Sequence, residues 1–390
     1  MIRQTVAVQS HLPLAGVRVI DLSSFLSGPM ATHTLGELGA EVIKVEPPGG
    51  DPTRAGTGLT ADAVPSPFWM ALHRDRRSVV LDLKSPAGVQ ALRDIVVAAD
   101  VLVENFRPGV TARLGVGPAD LLAANPRLIY CSISGYGSDG PGAARAATDG
   151  PIQASTGALE LSGAPVPFTV ADLTGAATAA QAVLAALYAR ERNGRGCHID
   201  LSLAECLMQW LAVTDRTGTL SPPITLVMEC ADGGTVLVQT PMHFRARLLA
   251  LLAETPGGAA FVGDDRWATL DGARLHLEDY MAGVRRAFAT KTMGEWLALL
   301  DGAGIPAAPV RTLAEAFDDP QSRHRGATGW VELAGGDRIA VMRGPFVVDG
   351  RRRESTSGPP VLGEGTEDVL RTVAGYDDVR LAAAHDAGAW

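Results

Sequence analysis

Cysteine is scarce in this sequence, with four among 390 residues. Cys131, Cys197, Cys206 and Cys230 lie far apart along the chain and form no CxxC pair. Zinc sites and disulfide frameworks need closely or regularly spaced cysteines, so the four are interpreted as reduced thiols. The eight histidines show no HExxH or ligand-pair spacing, and no metal is expected.

Positive charge is also in short supply, with 34 Lys and Arg against 43 Asp and Glu and a net charge of −9. Nucleic acids and anionic membranes are held by an excess of cations, so neither is expected as a partner. No uncharged apolar run reaches the ~18 residues that a membrane span needs. The N-terminus MIRQT has no signal-peptide core, so the cytosol is the expected compartment.

Strand and helix patterns alternate through the first half of the chain. Short β-branched runs such as VRVIDLS, EVIKVE and SVVLDL are separated by Ala- and Leu-rich stretches. This alternation is typical of βαβ units. The predicted fold class is therefore α/β, with a Rossmann-like large domain built on a mostly parallel sheet and a smaller α/β domain.

Changes in composition suggest where the domains begin and end. Residues 1–208 are expected to form the large domain, which ends after a long Ala-rich helix over residues 173–192. A Pro-rich break lies in the expected linker, 209–224, and helical patterns then fill a small domain over 225–328. Residues 329–390 contain strand and loop patterns and are expected to return to the large domain.

Gly135, Gly137 and Gly140 form a GxGxxG pattern after the predicted strand LIYCSIS. A dinucleotide fingerprint must open a helix, and here Pro141 follows at once. The pattern is interpreted as a turn.

Asp172 stands at the start of the Ala-rich helix. It has two interpretations. An Asp at this point can cap the helix by accepting hydrogen bonds from the free first-turn amides. A carboxylate in the same place can also attack a thioester and form a covalent intermediate, provided that its side chain faces a cleft.

Asn105, Phe106 and Arg107 follow the predicted strand DVLVENF, at the edge where open parallel sheets bind their ligands. Arg107 and Arg113 offer guanidinium groups to phosphate oxygens, although surface arginines are more often only solvated. The stretch 73–77, HRDRR, adds a basic patch to an acidic chain. Glu229 lies in a Glu-Cys-Ala-Asp-Gly segment that predicts a hairpin turn.

Several segments, in order, resemble the family III CoA transferases (CaiB/BaiF family), which include formyl-CoA transferases and the α-methylacyl-CoA racemases. They are PLAGVRVIDLSSFLSGP, LGELGAEVIKVEPPGGDPTR, RRSVVLDLKSPAG, ADVLVENFRPGV, NPRLIYCSISGYGSDGPG, ADLTGAATAAQAVLAALYARERNGRGCHIDLSL, GIPAAPV, DDPQSRHRG and PPVLGEGTEDVL. The resemblance covers most of the chain.

The resemblance implies an interlocked homodimer and coenzyme A, as an acyl-CoA substrate, bound across the large domain. It implies that CoA contacts Leu26, Ser27, Leu81, Asp82, Leu83, Lys84, Asn105, Phe106, Arg107 and Arg113. It also implies a CoA transferase in which the carboxylate of Asp172 attacks the acyl-CoA. An acyl-aspartyl anhydride and an aspartyl-CoA thioester follow in turn, and a small carboxylic acid finally accepts CoA.

The chain departs from the family pattern in two places. The transferases have a glycine-rich loop that covers the reactive carboxylate, and residues 203–236 of this chain contain no such run. Pro47 replaces an arginine that some members use near CoA.

Two alternatives remain open at this stage. In the racemases a His-Asp pair and a Glu move the α-proton, and this chain has Asp149, Asp172 and Glu229 at the corresponding positions. Thr148 replaces the histidine, however, and a threonine is no general base near neutral pH. The last alternative is a CoA-binding protein without catalysis.

Overall fold

The structure is a computed structural model that describes residues 11–55, 66–213, 225–267, 269–332, 336 and 338–390. The chain divides into two compact units. The first comprises Met1–Thr214 and Arg323–Trp390, and the second comprises Asp215–Ser322. Each unit has its own hydrophobic core.

A six-stranded sheet forms the centre of the first unit. Its strands are β1 (Arg18–Asp21), β2 (Glu41–Glu46), β3 (Arg77–Val80), β4 (Val101–Glu104), β5 (Ile129–Ser134) and β6 (Cys197–Ser202). Every neighbouring pair is parallel, and the strand order is β3-β2-β1-β4-β5-β6. The predicted mixed α/β class with a parallel sheet is therefore confirmed.

Helices pack on both faces of this sheet. They are α1 (Ser27–Glu37), α2 (Pro67–Leu72), α3 (Pro86–Val97), α4 (Val110–Arg113), α5 (Pro118–Ala124), α6 (Asp149–Thr156), α7 (Ala158–Ser162), α8 (Val170–Asn193) and α9 (Leu203–Leu211). A short 3-10 helix spans Pro52–Ala55. Alternate strand residues face opposite cores, so Val101 and Val103 pack beneath α1 and α8 whereas Leu102 packs beneath α3 and α5.

Helix α8 has the length and apolar composition of a membrane-spanning helix, which is weak support for a span on its own. In this structure one face of α8 is buried, with Ala176, Ala179 and Val183 in the core beneath the sheet. Its last turn buries Arg190, whose guanidinium lies 2.9 Å from the carboxylate of Asp100. Packing inside the unit therefore accounts for the apolar character of α8.

A buried ion network lies at the carboxyl ends of β1 and β2. It consists of Asp21, Lys44, Asp51 and Arg76, and Glu37 and Arg74 form a separate buried ion pair. The Lys44 ammonium lies 3.1 Å from a carboxylate oxygen of Asp51, and Arg76 donates to Asp21. The prediction of a basic surface patch over residues 73–77 is wrong at Arg74 and Arg76, because both guanidinium groups are buried against carboxylates.

The C-terminal segment packs against the sheet of the first unit. It contains the antiparallel pair β10 (Thr328–Glu332) and β11 (Arg338–Met342), α17 (Thr366–Thr372) and α18 (Asp378–Asp386). Helix α16 (Pro320–His324) precedes it in the chain. The Thr366 hydroxyl accepts the Val80 N–H at 3.0 Å, and the Ala389 carbonyl accepts the Asp82 N–H at 2.8 Å. These bonds hold the chain terminus beside the edge strand β3.

The second unit combines a small antiparallel sheet with short helices. Its elements are β7 (Thr225–Glu229), β8 (Thr235–Gln239), α10 (Met242–Ala253), α11 (Gly258–Val262), a 3-10 helix (Asp265–Trp267), α12 (Leu270–Leu275), α13 (Leu277–Phe288), α14 (Met293–Gly302), β9 (Ala307–Pro309) and α15 (Leu313–Phe317). Phe288 stacks on Trp296 in its core, with ring centroids 4.3 Å apart.

The expected linker, 209–224, begins inside a helix. Helix α9 runs from Leu203 to Leu211. The Ser202 side chain caps its first turn by accepting the N–H of Glu205. Leu203 and Leu207 then anchor α9 in the core of the first unit. The Pro-rich part of the linker, and with it the centre of the segment without a glycine-rich run, lies outside the described residues.

Candidate active site

The strand order of the sheet reverses between β1 and β4, and the carboxyl ends of those two strands form the edge where open α/β sheets bind ligands. Asn105 follows β4 directly and bonds to the loop that follows β1. Its side chain accepts the Ser24 N–H and donates to the Ser24 carbonyl, both at 2.8 Å. It also donates to the Ser27 hydroxyl at 3.3 Å. One amide therefore fixes both ends of the loop over residues 24–27.

Helix α1 begins at Ser27, directly against this loop. A Cβ atom at Gly28 would stand 2.2 Å from the side chain of Ser23, so only glycine allows this close approach. The Ser23 hydroxyl in turn donates to Asp21 at 2.5 Å. The loop is thus held between Asn105 on one side and the buried ion network on the other.

Asp172 lies in the first turn of α8 and is half-buried. The interpretation of Asp172 as the helix cap is wrong, since α8 begins at Val170 and the capping position belongs to Thr169. The Thr169 side chain makes no capping hydrogen bond either. The free amides of this turn therefore need an acceptor from elsewhere in the chain.

Asp149, the first residue of α6, supplies that acceptor. One of its carboxylate oxygens accepts the N–H of Ala171 at 2.7 Å and that of Asp172 at 3.2 Å. The other oxygen accepts the side-chain amide of Gln153 at 2.5 Å. Three N–H donors occupy this carboxylate, which caps and positions the first turn of α8. The catalytic role expected for Asp149 stays a prediction.

The pKa of Asp172 is raised from its ordinary 3.8 to about 6. Burial is the largest cause, the negative charge of Asp149 adds to it, and a hydrogen bond from Ser27 acts in the opposite direction. Burial and a neighbouring carboxylate both disfavour the ionised form. The result is a carboxylate that is ionised at neutral pH, weakly solvated and in contact with the start of α1.

Among the residues expected to contact CoA, four converge at the ends of β1 and β4. They are Leu26, Ser27, Asn105 and Phe106. Arg107 and Arg113 are exposed beyond Phe106, and the Arg113 guanidinium approaches Gly109, where φ is +82°. These two arginines therefore present positive charge on the surface that follows the carboxyl end of β4.

The run 81–84 follows the edge strand β3, with β2 between it and β1. Leu81 is a core residue with 1% of its surface exposed, so its side chain is not available to a ligand. Asp82 accepts the N–H of Lys84 and shapes the turn, and Leu83 is partly buried against the core. The exposed Lys84 is the member of this run that presents a charge.

Glu229 belongs to the second unit, where it is the exposed last residue of β7. It pairs with Thr235 across an antiparallel hairpin, and the turn is closed by the Gly233 N–H, which donates to the Cys230 carbonyl at 3.0 Å. Gly233 has φ +77°, a conformation that suits glycine in such turns. The predicted hairpin turn is confirmed.

The GxGxxG run also forms a turn, as predicted. Strand β5 ends at Ser134, and the next helix begins at Asp149. At the same edge of the sheet the Ser138 hydroxyl donates to Asp200 on β6, a contact that the sequence analysis did not identify. Gln153 was missed as well, although its spacing of four residues from Asp149 places both on one helix face.

No group of three or more His, Cys, Asp or Glu side chains is arranged to hold a metal ion within the part of the chain that the structure describes. The groups that converge at the β1 and β4 edge are two carboxylates, two hydroxyl-bearing serines and an amide.

Residues 14–366 match the family model described as CoA-transferase family III. The chain belongs to CoA-transferase family III. The chain is 34% identical to the succinate–glutarate CoA-transferase of Agrobacterium fabrum, over 92% of this chain and 95% of the relative. It is 32% identical to the mouse succinyl-CoA:glutarate CoA-transferase, over 95% of this chain and 88% of the relative.

Solved structures of the same family share the fold. A CaiB/BaiF family protein from Brucella suis superposes with a TM-score of 0.79 and 30% identity, over 93% of this chain and 100% of that chain. The predicted membership of family III and the predicted enzyme class, CoA transferase, are therefore confirmed.

Proposed function

We propose that this CoA transferase moves coenzyme A from an acyl-CoA to a carboxylic acid, with the Asp172 carboxylate as the covalent group. The observation that carries the proposal is the position of Asp172, half-buried in the first turn of α8 beside Asp149 and the Ser27 hydroxyl, where its pKa is raised. A carboxylate that is ionised but poorly solvated is a stronger nucleophile than one in water.

The proposed reaction needs no net proton transfer. An Asp172 oxygen attacks the thioester carbonyl, the C–S bond breaks, and an acyl-aspartyl anhydride and a CoA thiolate result. The thiolate attacks the aspartyl carbonyl and releases the donor acid, which leaves an aspartyl-CoA thioester. The acceptor carboxylate then attacks this thioester to give a new anhydride, and the thiolate takes the acceptor acyl group and frees Asp172.

Each neighbour of Asp172 has a part in this scheme. The Ser27 hydroxyl offsets part of the negative charge at the Asp172 carboxylate. Asp149 fixes the first turn through the N–H groups of Ala171 and Asp172, so that the nucleophile keeps one orientation through both anhydride stages. Asn105 holds the loop that carries Ser27.

The same edge supports a place for CoA. The strand order is the doubly wound order of Rossmann-like domains, in which a ligand lies across the reversal point. We propose that Leu26, Ser27, Asn105 and Phe106 line the pantetheine and that Arg107, Arg113 and Lys84 meet phosphate oxygens. Leu81, Asp82 and Leu83 would then contribute through the turn that they form, since Leu81 is buried.

The proposal extends to the roles of the two units, the assembly and the substrates. The first unit acts as the large CoA-binding domain and the second, which contains Glu229, as the small domain, in an interlocked homodimer in the cytosol. Its substrates are an acyl-CoA and a small carboxylic acid. The printed names of the two relatives include succinate and glutarate, so these dicarboxylates are the first acids to test.

Intact mass spectrometry tests the proposal. The protein is mixed with succinyl-CoA or another acyl-CoA without acceptor, quenched, and then mapped by peptide with and without hydroxylamine. A mass increase that maps to Asp172 is expected, together with its conversion to a hydroxamate. Asp172→Asn should show no adduct, whereas the control Asp120→Asn, in the first turn of α5, should label as fully as the unmodified protein.

Two results would contradict the proposal. One is the absence of an adduct over a panel of acyl-CoAs with folded protein that binds CoA. The other is rapid deuterium exchange at the α-carbon without acceptor acid, which would favour racemisation. Two features make that alternative less favourable. The oxygens of Asp149 already accept N–H donors, and a threonine at position 148 is no general base near neutral pH.

A further inference from the structure

Three non-glycine residues in the described part of the chain have a left-handed backbone, namely Phe25, Asp75 and Asp349. Residues with a β-carbon are disfavoured in this region, and Asp and Asn tolerate it best. Such positions are held by the surrounding structure and cluster at functional sites. The three therefore need individual explanations.

The two aspartates are explained by their surroundings. Asp75 accepts the N–H groups of Thr356 and Ser357 at 2.7 and 2.8 Å, which joins the C-terminal segment to the sheet. Asp349 precedes Gly350 in a two-residue turn whose flanking residues exchange backbone hydrogen bonds, and Asp-Gly is the preferred sequence for such turns.

Phe25 has neither explanation. Its φ is +63°, and 57% of the residue's surface is exposed. Burial of the ring therefore offsets little of the strain in the backbone. The flanking Ser24 and Ser27 are both bonded to the side chain of Asn105. The loop is thus clamped on both sides of Phe25, in a conformation that presents an aromatic ring at the surface.

The backbone that carries this ring continues into Ser27, a neighbour of the proposed nucleophile. Phe25 is two residues from Ser27, so their Cα atoms lie within about 7 Å of each other. The Ser27 hydroxyl bonds to Asp172. Phe25 and the hydroxyl that bonds to Asp172 therefore belong to one short loop, which the side chain of Asn105 fixes and in which the Phe25 ring is the exposed apolar group.

We propose that Phe25 is a specificity-determining residue of the transferase, and that its ring forms an apolar wall against the first methylene groups of the acyl chain. The inference rests on the proposed function of Asp172 and deepens it. The enzyme thereby favours acyl groups with at least two methylenes beside the thioester, such as butanoyl and succinyl, over acetyl. The strained backbone is the cost of presenting the ring at this point.

Donor specificity provides the test. The values of kcat/KM for acetyl-CoA, butanoyl-CoA and succinyl-CoA are measured with one acceptor acid for the unmodified protein, Phe25→Gly and Phe25→Leu. The preference for the two longer donors over acetyl-CoA should fall about tenfold or more in Phe25→Gly. Phe25→Leu, which keeps apolar bulk, should retain most of the preference.

Thermal unfolding separates this role from a structural one. Because glycine adopts positive φ without strain, Phe25→Gly should melt about 2 °C higher than the unmodified protein while it loses specificity. The control Asp349→Gly relieves positive φ at a surface turn and should leave the donor preference unchanged. A lower melting temperature for Phe25→Gly, or a changed oligomeric state, would mean that the ring packs structurally.

Two further outcomes overturn the inference. An equal loss of kcat/KM for all three donors would mean that Phe25 contacts the CoA moiety and not the acyl group. An unchanged preference among the donors would mean that Phe25 does not contact the acyl chain. Calorimetric dissociation constants for butanoyl-CoA and acetyl-CoA, measured in the Asp172→Asn background with and without Phe25→Gly, give the same comparison without turnover. If the unmodified protein forms no adduct at Asp172, the proposed function fails; if it forms one and the preference survives, only this inference fails.

Discussion

Two groups of carboxylates lie in the first unit, one in the buried ion network and one at the start of α8, and the charges around them differ. In the buried ion network, Asp21 is fully buried but has Lys44 and Arg76 as neighbours. Burial alone would raise its pKa, yet the two cations and the hydroxyls of Ser23 and Thr32 lower it overall. Asp172 has no such cation among the causes of its shift, and its pKa rises.

This difference separates a structural carboxylate from a reactive one. The paired Asp21 is stabilised in its ionised form by two cations, so it is a weak nucleophile. Asp172 faces another carboxylate and only one side-chain hydrogen-bond donor acts on it, so its ionised form is high in energy. Substitution of Asp172 should therefore abolish activity without loss of stability, and substitution of Asp21 should lower stability.

The largest expected effect is the loss of transfer in Asp172→Asn, by about 10⁴-fold or more in kcat, because the amide cannot form the anhydride. The same substitution should stabilise the fold at neutral pH, by about 1–2 kcal/mol after allowance for partial exposure. Steady-state kinetics and chemical denaturation measure the two effects. A stable protein with residual transfer near the unmodified rate would contradict the comparison.

The stability gain of Asp172→Asn should depend on pH. The folded protein holds the Asp172 proton up to about pH 6, above the ordinary 3.8, so this group loses stabilising free energy as pH rises between those values. The advantage of the variant should therefore be present at pH 7 and absent at pH 4. Urea denaturation at the two values provides the measurement.

Asp21→Asn should have the opposite profile. It leaves Lys44 and Arg76 buried with one charged partner fewer, which typically costs about 3–5 kcal/mol of unfolding free energy. The lowered pKa of Asp21 means that this loss is largest at neutral pH and shrinks as the pH falls toward acid. Equal stability of variant and unmodified protein at pH 7 would show that the network is not the structural element described here.

Asp149→Asn should lower the pH at which Asp172 becomes reactive, because it removes the neighbouring negative charge. It should also cost about 1 kcal/mol of stability through the weakened cap of α8. The midpoint of the rate of adduct formation against pH reports the first effect, and thermal unfolding reports the second. An unchanged midpoint would remove Asp149 from the electrostatics of the site.

The smallest effect is expected for Ser27→Ala, and its direction is the reverse. Loss of the hydroxyl removes the hydrogen bond that lowers the pKa of Asp172, so the midpoint should move upward by a fraction of a unit. Ser27→Thr keeps the hydroxyl and serves as the control. A downward shift in Ser27→Ala would contradict the account of how this pKa is set.

The sequence predicts the strands, the main helices and the family, because those depend on local periodicity and on motif order. The start of helix α9 could also be predicted, since Ser202 and Glu205 have capping-box spacing. The expected linker was placed by the Pro-rich stretch at 221–223, and its first residues belong to α9. The cap of α8 was not predictable, because Asp149 lies 22 residues from Ala171 and meets it only through packing. The raised pKa of Asp172 follows from that same packing.

The rate of covalent adduct formation at Asp172, measured by quenched intact mass between pH 4.5 and 8 with a single acyl-CoA, tests the central claim most directly. The account predicts a rate that rises about tenfold per pH unit below the midpoint, levels off above it, and has that midpoint near the pKa of about 6. A rate that stays constant across this range, or an adduct on any other residue, would contradict it.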